Sequence, residues 1–141
     1  MLIQKGGCIL VNAVGKIALI YRKKKQDYTF PKGHQERGEN ILECAIRETE
    51  EETGRVPHIL PACPLPDLSY KTKSGNEALV HFFFALDAGE SNLAVEDKLR
   101  HDLVWYDWEE VEKTVSYTYF QDYWRSVKQT VKQYIALQIS P

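Results

Sequence analysis

The stretch Gly33–Arg55, GHQERGENILECAIRETEEETGR, puts five glutamates within ten residues: Glu43, Glu48, Glu50, Glu51 and Glu52. Asn40 stands where a helix N-cap belongs, and Glu43 three residues on completes a capping-box pair. Leu42, Ala45, Ile46, Thr49 and Thr53 recur at helical spacing as a stripe toward a core, and Gly54 supplies the stop. Glu48, Glu51 and Glu52 follow at i, i+3 and i+4, which gathers them on one helix face. Glu48 and Glu52 border the apolar stripe, whereas Glu43 and Glu50 point away from it into water. Like charges this close repel, and the helix C-terminus disfavours anions further. A hard divalent cation on the carboxylate oxygens, with phosphate as its other ligand, would offset that cost.

Working outward, Cys8–Val11 and Lys16–Tyr21 read as two strands joined in a hairpin at Asn12–Gly15. Arg22–Lys25 reads as a basic loop, and Tyr28–Phe30 as a short extended piece before Pro31. Beyond the helix, Val56–Leu60 and Leu68–Lys73 look like strands, Ala78–Ala85 is an aromatic run suited to a central buried strand, and Leu103–Tyr106 is another strand. Asp107 is a candidate cap for a short helix through Val111. Phe120, Tyr123, Trp124, Val127, Val131, Tyr134 and Ile135 mark a long amphipathic C-terminal helix. Strands flanked by helices on both sides predict a three-layer α/β fold around a mixed sheet.

Composition narrows the function classes. The 141 residues read as one domain, 1–141, with 43% hydrophobic and 27% charged residues. A net charge of −2 argues against an extended duplex-binding surface. Cys8, Cys44 and Cys63 are odd in number and follow no zinc spacing, so they read as small buried hydrophobes of a reducing, cytoplasmic protein. No apolar run reaches the ~20 residues of a membrane span, and no signal peptide is evident.

Gly33, five residues, Glu39, seven residues, then Arg47-Glu48-x-x-Glu51-Glu52-x-Gly54 resembles the Nudix box of the Nudix hydrolases, meeting every invariant position in order and spacing. Thr49 and Arg55 depart from it, since the family usually has apolar residues there. The resemblance implies an α/β/α sandwich with a central mixed β-sheet, from about Gly7 to about Ile135. It also implies hydrolysis of a phosphoanhydride bond with magnesium, or manganese, as cofactor. On it, Glu48, Glu51 and Glu52 would be metal ligands, with the proton role falling to Glu48 or Glu52. The Lys32 carbonyl would be a further ligand, and Glu96 a distant carboxylate, with Asp97 and Asp102 as rivals. Arg47, an i, i+4 partner of Glu51, is expected to orient the carboxylates.

The preceding Tyr28-Thr-Phe-Pro-Lys-Gly-His34 resembles the segment before the box in family members that cleave dinucleoside polyphosphates, many of which carry tryptophan where this chain has Tyr28; related segments occur in inositol-pyrophosphate and nucleotide-sanitising members. This implies a small nucleotide substrate such as diadenosine tetraphosphate. Modified nucleoside triphosphates and RNA 5′ ends are the other classes, and a non-catalytic nucleotide sensor is a reading of a different kind. Tyr28 would stack on a base or pack on the sheet, and the Lys32 side chain would contact phosphate or solvent. The basic run, with Arg22 and Lys24 as its candidate substrate contacts, is either a solvated loop or a phosphate clamp. His34 and His81 read as structural or exposed. Tyr117, Tyr119 and Phe120 read as core or as the wall of a base pocket. The expected assembly is a monomer or homodimer.

Overall fold

In a computed structural model of the chain, residues 1–93 and 101–139 are described. The strands are β1 (Leu2–Val11), β2 (Ile17–Arg22), β3 (Asp27–Thr29), β4 (Lys32–His34), β5 (Arg55–Pro64), β6 (Leu68–Lys71), β7 (Glu77–Glu90) and β8 (His101–Tyr106). They form one sheet in the order β3-β2-β1-β7-β5, with β4 also paired to β1, β6 to β7 and β8 to β2. β1 and β7 are parallel along their length, while β4, β5, β6 and β8 join antiparallel, so the sheet is mixed.

β1 is buried on both faces from Gly6 to Val11, which is why its sequence is a continuous apolar run. Ile9 and Val11 join Phe30, Phe82, Phe84 and the helix α3 (Thr118–Gln138) on one side. Cys8 and Leu10 join Ala18, Ala85 and Ala45 of the helix α1 (Ile41–Thr53) on the other. Helices on both faces give the expected α/β/α sandwich. Phe120, Tyr123, Trp124, Val127 and Val131 form the buried face of α3, matching the periodicity. No described helix is long and apolar enough to cross a membrane.

The structure corrects several expectations. Leu42 does not face the core: it is 39% exposed, and the buried face of α1 is Cys44, Ala45, Thr49 and Thr53. The helix lies so close to β1 that a Cβ on Gly6 would sit 2.8 Å from Ala45 N, and only small side chains fit that seam. Glu50 is half-buried and accepts a hydrogen bond from the Ser91 hydroxyl, so it is not simply solvated. Arg22 belongs to β2, and the turn after it closes with Gln26 in the left-handed region at φ 54. β4 was not anticipated, because three residues with a central glycine carry no strand signal of their own. Asp107 makes no side-chain cap; a 3-10 turn (Trp108–Glu110) leads into α2 (Val111–Thr114) instead.

Candidate functional site

The helix α1 is fixed at both ends as its sequence requires. Asn40 and Glu43 form a reciprocal capping box, and Gly54 ends the helix at φ 71, with its N–H donating to the Glu50 carbonyl. Thr49 and Arg55, which depart from the box pattern, are accommodated: Thr49 is fully buried, and Arg55 pairs with Asp87 at 2.9 Å.

Arg47 is the hub of the helix face. Its Nε and Nη2 donate to the two Glu39 oxygens at 2.9 and 2.7 Å, and Nη2 also reaches the His34 carbonyl at 2.9 Å. Its Nη1 donates to Glu48 at 2.7 Å and to Glu51 at 3.1 Å. One guanidinium thus ties the loop before α1 to two of the three clustered carboxylates. Hydrogen bonding to Arg47 outweighs desolvation and holds the Glu39 carboxyl down at about 2.

The other two contacts of the acidic face are with β4. Any Cβ on Gly33 would land on the Glu48 carboxylate, so glycine there is what lets that side chain approach the strand. One residue earlier, the Lys32 N–H donates to Glu52 Oε1 at 2.8 Å. Burial pushes the Glu52 carboxyl up; the nearby Lys32 cation and N–H oppose the shift, and the Glu48 charge adds to it. Burial pushes the Lys32 ammonium down, the Lys5 and Arg22 cations push the same way, and Glu52 opposes. The Lys32 side chain is buried, with Nζ 5.3 Å from the Phe120 ring centroid and no hydrogen bond or ion pair of its own among the described residues.

Around Lys32 lies a group of cationic and aromatic side chains. Arg22 makes two parallel bonds to Asp27, at 2.7 and 2.6 Å, and the Tyr117 hydroxyl donates to the same carboxylate at 2.5 Å. Desolvation would raise the Asp27 carboxyl, but these donors outweigh it and hold it below the ordinary range. Tyr117 stacks on Tyr119 at 5.2 Å and Tyr119 on Tyr70 at 4.1 Å, and the Tyr70 hydroxyl accepts from Lys5 Nζ at 2.9 Å. Tyr28 packs on Tyr21 and Tyr106, and its backbone bonds both ways with Ser116. Phe120 is buried core, whereas Tyr117 and Tyr119 are half-buried at its edge.

Several sequence candidates lie apart from this arrangement. Lys24 is exposed in the β2–β3 turn. Asp102 pairs with Lys23 at 3.4 Å. His81 bonds Gln4 and Asp67, away from the acidic helix face. Glu96 and Asp97 lie outside the described residues. Lys5, Asp27 and Tyr70 were not singled out from sequence. Lys5 carries a faint signal, the one charge on a strand whose second half is apolar; Asp27 carries another, lying across a tight turn from Arg22.

No group of three or more His, Cys, Asp or Glu side chains is arranged to hold a metal ion among the described residues. The Arg47 guanidinium lies between Glu48 and Glu51, and Glu52 turns toward the Lys32 N–H. The donor chemistry nevertheless fits a hard divalent cation. Two carboxylates already converge on one positive nitrogen, and the third lies one residue along the same strand edge from Glu48.

A sequence model of the NUDIX domain matches residues 4–128. A curated relative, the m7GpppN-mRNA hydrolase NUDT17 of Xenopus laevis, is 38% identical over an alignment of 58 residues that covers 37% of this chain and 20% of that protein. The chain therefore spans only a fifth of that relative's length. Among solved structures, a C. elegans Ap4A hydrolase binary complex superposes with TM-score 0.74 at 23% identity, covering 95% of this chain and 98% of that one. The MutT protein of Methanosarcina mazei Go1 gives 0.68 at 20% identity, covering 91% and 94%. At these identities the likeness is one of fold.

Proposed function

This chain belongs to the Nudix family, and we propose that it is a pyrophosphohydrolase cleaving a phosphoanhydride bond in a nucleoside diphosphate linked to another group. The observation that carries the reading is the single Arg47 guanidinium organising Glu39, Glu48 and Glu51 beside a half-buried Glu52. Arg47 offsets part of the repulsion between these carboxylates, and a divalent cation would offset the rest. Glu48, Glu51 and Glu52, with the Lys32 carbonyl, would hold magnesium or manganese. A bound divalent ion would supply charge neutralisation for the bridging phosphates and favour ionisation of an attacking water.

The chain's own residues do the rest. Glu52, whose carboxylate turns to β4, is the group suited to accept a proton from water. Arg47 keeps the carboxylates in register and does not need to touch substrate. Lys32 and Arg22 lie near enough to Glu52 to feel its charge, and they are the cations we assign to the phosphates.

The leading substrate is a dinucleoside polyphosphate such as diadenosine tetraphosphate. The segment before the box supports it, and so does the likeness of fold to the C. elegans Ap4A hydrolase. Product identification across diadenosine tetraphosphate, an oxidised nucleoside triphosphate and a triphosphorylated RNA end, each with and without magnesium, tests the reading. Turnover should require the metal, vanish with excess EDTA and drop by at least ~100-fold in Glu52→Gln. Metal-independent turnover, or none on any member of the panel, would overturn it.

A further inference from the structure

The cationic and aromatic contacts form one continuous chain: Lys5 to Tyr70, Tyr70 on Tyr119, Tyr119 on Tyr117, Tyr117 to Asp27, Asp27 to Arg22. Lys32 Nζ lies 5.3 Å from the ring of Phe120, which packs against Tyr70, Tyr117 and Tyr119; this lysine is buried and its side chain makes no hydrogen bond among the described residues. Lys25 is close enough to Arg22, Lys5 and Lys73 to feel their charge. Converging cations of this kind repel, as the clustered glutamates do, unless an anion enters between them.

Asp27 occupies a particular place in the chain. It is 5% exposed and lies across the β2–β3 turn from Arg22, in direct register with it. Both of its oxygens are engaged by the guanidinium, and one also accepts from Tyr117. The Arg22 edge carrying Nε and Nη2 is thereby fixed, while Nη1 makes no hydrogen bond among the described residues. Tyr117 comes from the turn before α3, so a single carboxylate joins the hairpin bearing the basic run to the aromatic stack.

We propose that Asp27 is a positioning residue for polyphosphate binding: it holds Arg22 and Tyr117 in one rigid unit, so that Arg22 presents its remaining N–H groups beside Lys32 and Lys5 to the phosphate chain of the substrate. This rests on the reading of the chain as a polyphosphate hydrolase, and it specifies which unit sets affinity for the phosphates. An asparagine in place of Asp27 keeps the shape but offers one oxygen where three donors converge. Its amide N–H groups would face the guanidinium or the phenol, and Arg22 would be released.

The test uses the full chain, with tripolyphosphate binding measured by calorimetry in metal-free buffer and KM and kcat measured with magnesium and diadenosine tetraphosphate. Asp27→Asn should weaken tripolyphosphate binding at least ~10-fold and raise KM by a similar factor, with a smaller fall in kcat. Tyr117→Phe should show the same pattern at roughly threefold. In an Arg22→Met background, Asp27→Asn should add less than about twofold, because its effect passes through Arg22. Should Asp27→Asn fail to fold, Tyr117→Phe with and without Arg22→Met carries the same cycle.

Binding readouts separate this proposal from the assignment of activity. If the chain binds tripolyphosphate and the Asp27 cycle is non-additive, the proposal stands even when no nucleotide is hydrolysed. It is overturned if the wild-type chain does not bind tripolyphosphate. Changes below about twofold in Tyr117→Phe and in any folded Asp27→Asn, or effects that simply multiply with Arg22→Met, overturn it equally.

Discussion

The Arg47 guanidinium grips both oxygens of Glu39, at 2.9 and 2.7 Å, while its remaining nitrogen bridges Glu48 and Glu51. Glu39 belongs to the loop before α1 and the other three to the helix, so this pair joins the loop to the acidic face. Lysine in place of Arg47 would keep the charge and lose the fork. Arg47→Lys should therefore destabilise the fold by about 2 kcal/mol in urea unfolding and lower hydrolysis at least ~100-fold. The Glu39 half has a pH signature. Its carboxyl is depressed to about 2, so the stability it adds is present above the unfolded value of about 4.3 and is lost as pH falls through the folded one. Glu39→Gln should be clearly less stable than wild type at pH 7, and the gap should close toward pH 2.

Gly33 and Gly6 both admit close neighbours, and alanine at each should have opposite consequences. At Gly33 the new methyl meets the end of the Glu48 side chain, which can swing away. At Gly6 it meets helix backbone, 2.8 Å from Ala45 N and 2.9 Å from the Ile41 carbonyl oxygen, which cannot. Gly33→Ala is expected to keep stability within about 1 kcal/mol while lowering activity ~10-fold or more. Gly6→Ala should cost about 2 kcal/mol or more, because it pushes α1 off the sheet. Thermal melts and initial rates on the two variants decide the matter; a stable, fully active Gly33→Ala would remove the role given to that approach.

The difference between these glycines also shows what sequence can and cannot reveal. The capping box, the helix stop and the Arg47–Glu51 pair are local, set by spacings of three to four residues, and each is legible in the chain. The periodicity puts Leu42 in the buried face of α1 and the structure does not, because which side of a helix is buried depends on how close the sheet comes, and Gly6, remote in sequence, sets that distance. Lys5, Asp27 and Tyr70 join the site through contacts with residues remote in sequence: Tyr117 and Asp27 are 90 residues apart, and Lys5 and Tyr70 are 65 apart. No periodicity encodes such meetings. They depend on β1 and β7 running parallel and on α3 crossing back over the sheet.

The three cysteines should be silent toward thiol reagents in the native protein. Cys8, Cys44 and Cys63 are all buried. Desolvation pushes the Cys8 thiol up to about 12 and the Cys44 thiol up to about 11, so neither supplies thiolate at neutral pH. Titration with a chromogenic disulfide at pH 8 should label none of them within minutes and all three in strong denaturant. Fast native labelling of Cys44, whose thiol donates to the Gly33 carbonyl at 3.4 Å, would mean that the seam between α1 and β4 opens.

The Lys32–Glu52 neighbourhood should show a cost in stability that serves binding and chemistry. Both groups are shifted toward neutrality, Glu52 upward and Lys32 downward, so desolvation outweighs their mutual attraction. A glutamate whose folded value is raised favours the fold fully below its unfolded value, about 4.3, and loses that advantage as pH rises through the folded one. A lysine with a lowered folded value penalises the fold below that value and recovers as pH climbs toward about 10.4. Around neutral pH the chain therefore bears part of both costs. The double variant Lys32→Met with Glu52→Gln keeps the volumes and leaves an oxygen for the Lys32-position N–H. It should be more stable than wild type by about 1–3 kcal/mol at pH 7, and inactive. Below pH 4 the advantage should shrink to the lysine part alone. A double variant less stable than wild type at pH 7 would show that these two groups support the fold, and the case that they are held for chemistry would fail.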